Sequence, residues 1–201
     1  MRNVILVLLV AACLALGCGW QNRVQAQKKP APPAATRQAR RKAPEPIEVY
    51  TGLRGHFLKV TPEEFGLEKP GPGEKAYGVL MEMGFESGLA SIISLTSGDA
   101  SLYTGTGGGI IGGGGGDAVK RAARDFVTAA GKHLPRMAAS KEFPYAEIGR
   151  VRFYVLTLDG VYTAEAGSDE MTDVRHPLHT LFRAGHEVIT QLRLSTEKKK
   201  E

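Results

Sequence analysis

Nine of the twelve residues from Gly105 to Gly116 are glycine, interrupted only by Thr106, Ile110 and Ile111. A glycine held inside a regular helix or strand costs roughly 0.5–1 kcal/mol relative to alanine. Nine of them would consume much of a domain stability that is only about 5–15 kcal/mol. The run therefore cannot be an ordinary element interior. It divides the folded part of the chain into a strand-rich stretch before it and a helix after it. Three roles fit: a cradle of free N–H groups for an anion, a bare backbone for close packing with Ile110 and Ile111 as a buried pair, or a mobile seam.

Upstream lie the runs AYGVLMEMGF, LASIISLT and SLYT, separated by Glu86-Ser87-Gly88 and Ser97-Gly98-Asp99. Short β-branched runs between turn signals predict an antiparallel meander. In the second run Leu89, Ser91, Ile93 and Leu95 share one face while Ile92 occupies the other, as in a strand covered on both sides. Before the meander, Ile47 to Val60 is expected to be an extended lead-in. Thr61-Pro62-Glu63-Glu64 then carries a capping box with proline at the first helical position.

Downstream, Val119, Ala122, Ala123, Phe126, Val127 and Ala130 recur at helical spacing, with Asp117 as the expected N-cap and Leu134-Pro135 as the stop. VRFYVLTL and VYTAE, joined at Asp159-Gly160, predict a hairpin. His176-Pro177 opens a last amphipathic helix through Leu178, Leu181, Phe182, Gly185, Val188, Ile189 and Leu192. Three strands, a helix, two strands and a helix predict an α+β domain: a five-stranded antiparallel sheet with helices packed on it.

The chain opens with Arg2 and an apolar run from Val4 to about Gly17. Such a run is short of the roughly 20 residues of a membrane span but matches the core of a signal peptide. Val24-Gln25-Ala26 supplies small residues for cleavage before Gln27. Export is the expectation, to the periplasm, the envelope or the medium. Lipidation at Cys18 or an uncleaved anchor are the alternatives for the same segment, and Val10-Ala11-Ala12-Cys13 is a second, poorer lipidation box. Both cysteines lie there, so a chain matured after Ala26 has no disulfide, thiolate metal ligand or cysteine nucleophile.

Residues 27–46 are rich in proline and alanine, with six Lys/Arg against Glu45. They are expected to form a disordered tether able to touch an anionic envelope surface. Residues 47–201 hold 18 Lys/Arg against 20 Asp/Glu, so the basicity belongs to the tether and the folded domain is not a nucleic-acid binder by charge. The expected organisation is a signal segment over 1–26, the tether, one domain over 47–194 and a frayed charged tail over 195–201.

For chemistry, a glycine-rich turn entering a helix presents N–H groups and the positive end of the helix dipole. The candidate anion site is Gly107, Gly108, Gly109, Gly112 and Gly113 with Lys120, Arg121 and Arg124. Gly107-x-Gly109-x-x-Gly112 has the dinucleotide spacing but lacks a parallel βαβ setting. His176, His179 and His186 are spaced like metal ligands, yet His176 is placed to cap the helix, and Arg183 between the other two repels a cation. Asp169, Glu170 and Asp173 lack the spacing of a calcium loop. Ser87 falls in a hairpin, not a nucleophile elbow. No cofactor, metal or catalytic residue is expected.

AYGVLMEMGF, SLYTGTGGGIIGGG, VRFYVLTLDGV and HPLHTLFRAGHEVITQLR together resemble a family of uncharacterised bacterial proteins, over about Leu53 to Leu194. The resemblance implies no activity, cofactor or site residue. The element order is also similar to roadblock, longin and profilin-like domains, which serve mainly as interaction platforms, an analogy of architecture only. The expected function is a non-enzymatic module that binds a protein partner or itself. The alternative is a small-anion binder or enzyme at the glycine run.

Overall fold

A computed structural model of the chain describes residues 41–67, 75–111 and 116–197. The expected signal segment with both cysteines, the expected tether before residue 41, and Gly112 and Gly113 lie outside the described residues. The architecture is α+β, but the sheet has seven antiparallel strands, not five, and three helices accompany it.

The helices are α1 (Glu48–Phe57), α2 (Asp117–His133) and α3 (His179–Glu197). The strands are β1 (Ala76–Phe85), β2 (Gly88–Leu95), β3 (Ala100–Thr104), β4 (Gly109–Ile110), β5 (Ala138–Ser140), β6 (Arg150–Thr157) and β7 (Gly160–Gly167). Their order across the sheet is β4-β3-β2-β1-β6-β7-β5. The five expected strands are β1, β2, β3, β6 and β7. The two extra strands close the sheet at its edges and are only two and three residues long. A glycine-isoleucine pair and an Ala-Ala-Ser triplet carry no alternation to read, and very short edge strands blunt a sheet against edge-to-edge pairing.

The long central strand β1 pairs with both β2 and β6, so its alternate residues feed two cores. Val79, Met81 and Met83 face α2 and α3, joined by Ile92 of β2 and by Val151, Phe153 and Val155 of β6. The expected α2 residues are all buried there, as are Leu178, Leu181, Val188 and Leu192 of the last helical segment. At Gly185 an added Cβ would sit 2.7 Å from the Met81 thioether and 3.2 Å from Phe126, so a bare backbone lets α3 seat against sheet and α2 together. The opposite face carries Leu80, Ile93, Leu95, Tyr154 and Leu156 under Phe57 and Leu58.

The expected extended lead-in is a helix. α1, EVYTGLRGHF, contains two glycines and β-branched Val49 and Thr51, so its intrinsic propensity is poor. Docking forms it: Tyr50, Arg54 and Phe57, at i, i+4 and i+7, are its buried residues. The capping box after it is made, with Glu64 accepting from the Thr61 N–H at 2.8 Å and Thr61 Oγ1 accepting from Glu64 N–H.

Smaller boundaries also move. The N-cap of α2 is Gly116 in extended conformation, and Asp117 is its first residue, where a carboxylate still complements the dipole. Thr157 pairs with Gly160, so Leu158 and Asp159 are the turn residues of the β6–β7 hairpin and Gly160 opens β7 with φ +125°. Helix α3 continues through the start of the expected tail, to Glu197. The end of the expected tether docks on the domain: the backbones of Lys42 and Glu147 form an isolated antiparallel β-bridge, the Ile148 N–H donates to Arg41 O, and the Arg41 side chain pairs with Glu86.

Candidate functional site

The most polar buried constellation lies where sequence reading did not look. Glu82 is the only charged residue of β1 and is fully buried at the centre of the sheet, on the face covered by α1. Its cross-strand neighbours are Ser91 on β2 and Arg152 on β6. The carboxylate accepts from Arg54 Nε at 2.5 Å and Nη2 at 3.3 Å, from the Tyr50 hydroxyl at 2.8 Å and from the Ala146 N–H at 2.7 Å. A carboxylate offers about four lone-pair sites, so this set saturates it.

Arg54 also donates from Nη1 to Phe143 O at 3.0 Å and from Nη2 to Pro144 O at 3.1 Å. Its guanidinium lies 4.6 Å from the Tyr145 ring centroid and 5.3 Å from that of Tyr154, within cation–π range. Tyr50 has one proton, spent on Glu82, so at 2.5 Å the Ser91 hydroxyl donates to the Tyr50 oxygen. Burial first, then the Glu82 charge, pushes the Tyr50 phenol well above its ordinary range and keeps it a neutral donor. For Arg54 burial opposes the charge, but Glu82 beside it more than offsets that and raises its pKa. These hydrogen bonds fasten α1 and the 143–146 segment onto the sheet. One signal marked it in the sequence: a lone Glu in an otherwise uncharged strand.

The glycine run divides between two locations. Thr104 N–H donates to Gly108 O and Gly107 N–H to Thr104 O, closing the β3–β4 turn, while Gly105 N–H donates to Leu89 O. Gly109 has φ +145°, and a Cβ on it would stand 2.1 Å from Leu102 O, so β4 can approach β3 only as glycine. Ile110 packs on the α2/α3 core while Ile111 is 71% exposed. The expected buried pair is split because β4 ends at Ile110 and Ile111 lies just beyond it.

Lys120 and Arg124 serve the turn at the other end of β3. Gly98 abuts the Lys120 backbone and Cβ, and Arg124 donates to Thr96 O at 3.2 Å and Ser97 O at 2.8 Å. At about 3.3 Å per residue, a five-residue strand separates these cations from Gly107–Gly109 by roughly 15–20 Å. The described residues do not assemble the candidate anion site. Arg121 is exposed on the helix between them.

The histidines take separate tasks. His176 Nδ1 accepts from Leu178 N–H at 3.2 Å, the capping bond expected of it, although the regular helix begins at His179. His179 Nδ1 bonds Met171 O at 2.8 Å. His133, unremarked in the sequence, is buried between α2 and the start of α3, reaching Ala129 O, Pro177 O and Thr180 Oγ1. Among the described residues no group of three or more His, Cys, Asp or Glu is arranged to hold a metal. Glu170 accepts from Gly167 N–H, and Asp173 pairs with Arg175.

Two of the surface concavities bear on α1 and α3. One, about 110 Å³, lies between α1 and β3 and is lined chiefly by Leu53, Phe57, Phe65, Ile93, Leu95 and Tyr103. The other, about 500 Å³, lies along the outer side of α3, where Thr172, His179, Phe182, Arg183, His186 and Glu187 line it. No protein-family model, no curated protein and no solved structure matches this chain.

Proposed function

We propose that this chain is an exported, non-enzymatic interaction module and a member of the uncharacterised bacterial family that its four sequence blocks resemble. The apolar concavity between α1 and β3 carries the reading. Its volume of about 110 Å³ is of the order of a cavity that holds one benzene, about 150 Å³, and so suits a single apolar anchor side chain from another polypeptide. Exposed Val49 on α1, 65% accessible, extends the apolar surface beyond it. The buried groups with chemical potential, Glu82, Arg54, Tyr50 and Ser91, are by contrast consumed in holding α1. Export rests on the apolar run from Val4 and on Val24-Gln25-Ala26. Among the described residues no helix is long and apolar enough to cross a membrane.

Site-specific crosslinking in the producing cell tests this reading. A photoreactive residue replacing His56, exposed on the rim of the concavity, is expected to give a discrete product. A dimer mass identifies self-association and another mass a separate partner. The same residue at Arg121, on α2 across the sheet, should give none. Absence of any product from position 56, or identical products from both positions, overturns the proposal.

A further inference from the structure

The concavity on the outer side of α3 has a chemistry that the interaction reading does not use. Arg183 is exposed there and enters no ion pair given for the described residues, while Glu187, one turn on, accepts from the Gln191 amide at 2.7 Å. Phe182 forms an apolar wall, its ring 4.4 Å from that of His186 in an edge-on arrangement. His186 Nε2 is buried and meets no hydrogen-bond partner within the protein. An orphaned buried N–H is rarer and costlier than an under-used acceptor. The tautomer assigned on that ground leaves Nε2 bare and makes Nδ1–H the donor of the ring. Burial, and then the Arg183 charge, lower the His186 pKa, so the neutral ring is favoured.

We infer that this concavity binds a small organic carboxylate with an apolar body, held by Arg183 and the His186 ring with Phe182 against its apolar part. Three features select that class. A guanidinium fork matches a carboxylate with two parallel hydrogen bonds. Glu187 on the same rim disfavours a doubly charged ligand such as phosphate. A volume of about 500 Å³ falls in the range of small-molecule sites, about 300–1,000 Å³. His179, the remaining titratable group of the lining, has Nδ1 fixed on Met171 O. The bound carboxylate would also relieve the repulsion between Arg183 and a protonated His186.

The test is a titration of the full chain with benzoate, followed through the His186 ring resonances and the melting temperature. Saturable shifts at His186 and a rise in melting temperature are expected. Arg183→Gln should weaken binding at least tenfold, whereas Arg121→Gln, which removes an exposed cation elsewhere, should leave it unchanged. Benzyl alcohol and inorganic phosphate are the comparison probes. Equal binding of benzyl alcohol would reduce the site to an apolar patch, and tighter binding of phosphate would reassign it to polyanions. Either result, an unsaturable response, or full affinity in Arg183→Gln overturns the inference. Because Arg183 is exposed, its variant is expected to fold, and its unliganded melting curve checks that directly.

Discussion

The two faces of the sheet solve the same problem with different materials. Under α2 and α3 the contacts are mainly apolar, from Val79, Met81 and Phe153 to Phe126 and Leu192, with Ser94 and His133 as buried polar exceptions. Under α1 an apolar patch around Leu80 and Tyr154 adjoins a closed ionic cluster centred on Glu82 and Arg54. Apolar packing is tolerant of which shape fills the space, whereas a buried ion pair stands only with both partners in register. The first face therefore supplies a cohesive core, and the second fixes where one poorly helical segment must dock. Amphipathic periodicity can dictate α2 and α3, but α1 depends on a partner 28 residues away in sequence.

The sharpest way to break that contrast is to remove one central side chain from each face. Phe126→Ala is expected to cost about 3–5 kcal/mol through lost burial and the cavity left behind. Glu82→Ala should cost a similar amount, about 3–5 kcal/mol, because it strands the Arg54 guanidinium without its counter-charge. Denaturant unfolding would make the two variants look alike. A second change separates them: adding Arg54→Met to Glu82→Leu should recover part of the loss, since it removes the unpaired charge but leaves the Tyr50 hydroxyl and Ala146 N–H without their acceptor. If the double variant is as unstable as either single one, the cluster contributes more than mutual compensation.

A milder break falls at the sheet edge. Gly109→Ala places a methyl 2.1 Å from Leu102 O at φ +145°, so β4 should detach at a cost of about 1–3 kcal/mol. Amide exchange should then accelerate in β3 and β4 while β1 and β6 stay protected. Acceleration across the whole sheet would mean that the edge is coupled to the centre.

This gradient also explains what could be read in advance. The α2 and α3 stripes were legible because burial repeats with the period of the helix, and β1, β2, β3, β6 and β7 because turn residues bound β-branched apolar runs. β4 and β5 were not, since two or three small residues give no period. Ile110 packs on the core as expected, but Ile111 does not, because the strand ends at Ile110 and Ile111 is exposed. At the sites, the His176 bond to the Leu178 N–H falls in the turn before α3, which begins at His179 and not at Pro177. The Glu82 cluster was not legible, because its members come from α1, β1, β2 and the 143–146 segment and meet only in the folded chain. The glycine run drew attention through composition; of its candidate cations, Lys120 and Arg124 meet the turn before β3, while Gly112 and Gly113 lie outside the described residues.

The smallest expected effect has the opposite sign and tests α1 alone. Gly52 is exposed within the helix, and a Cβ built there meets nothing within 4 Å. Its backbone is helical, so alanine introduces no clash and no strained φ. Gly52→Ala should therefore stabilise the protein by about 0.4–1 kcal/mol, chiefly by restricting the unfolded chain. That corresponds to a rise in melting temperature of roughly 1–4 °C for a domain of this size. The increment should persist in Phe126→Ala, whose defect lies across the sheet, and shrink in Glu82→Ala if loss of the clamp lets α1 fray. Partner engagement gives the same substitution a second readout. Should a partner helix or strand approach α1 closely over the bare Gly52 backbone, alanine would weaken the crosslink from position 56 while raising stability. An unchanged crosslink with the stability gain would place the contact on the concavity alone, and no stability gain at all would mean that α1 is not formed in the free protein.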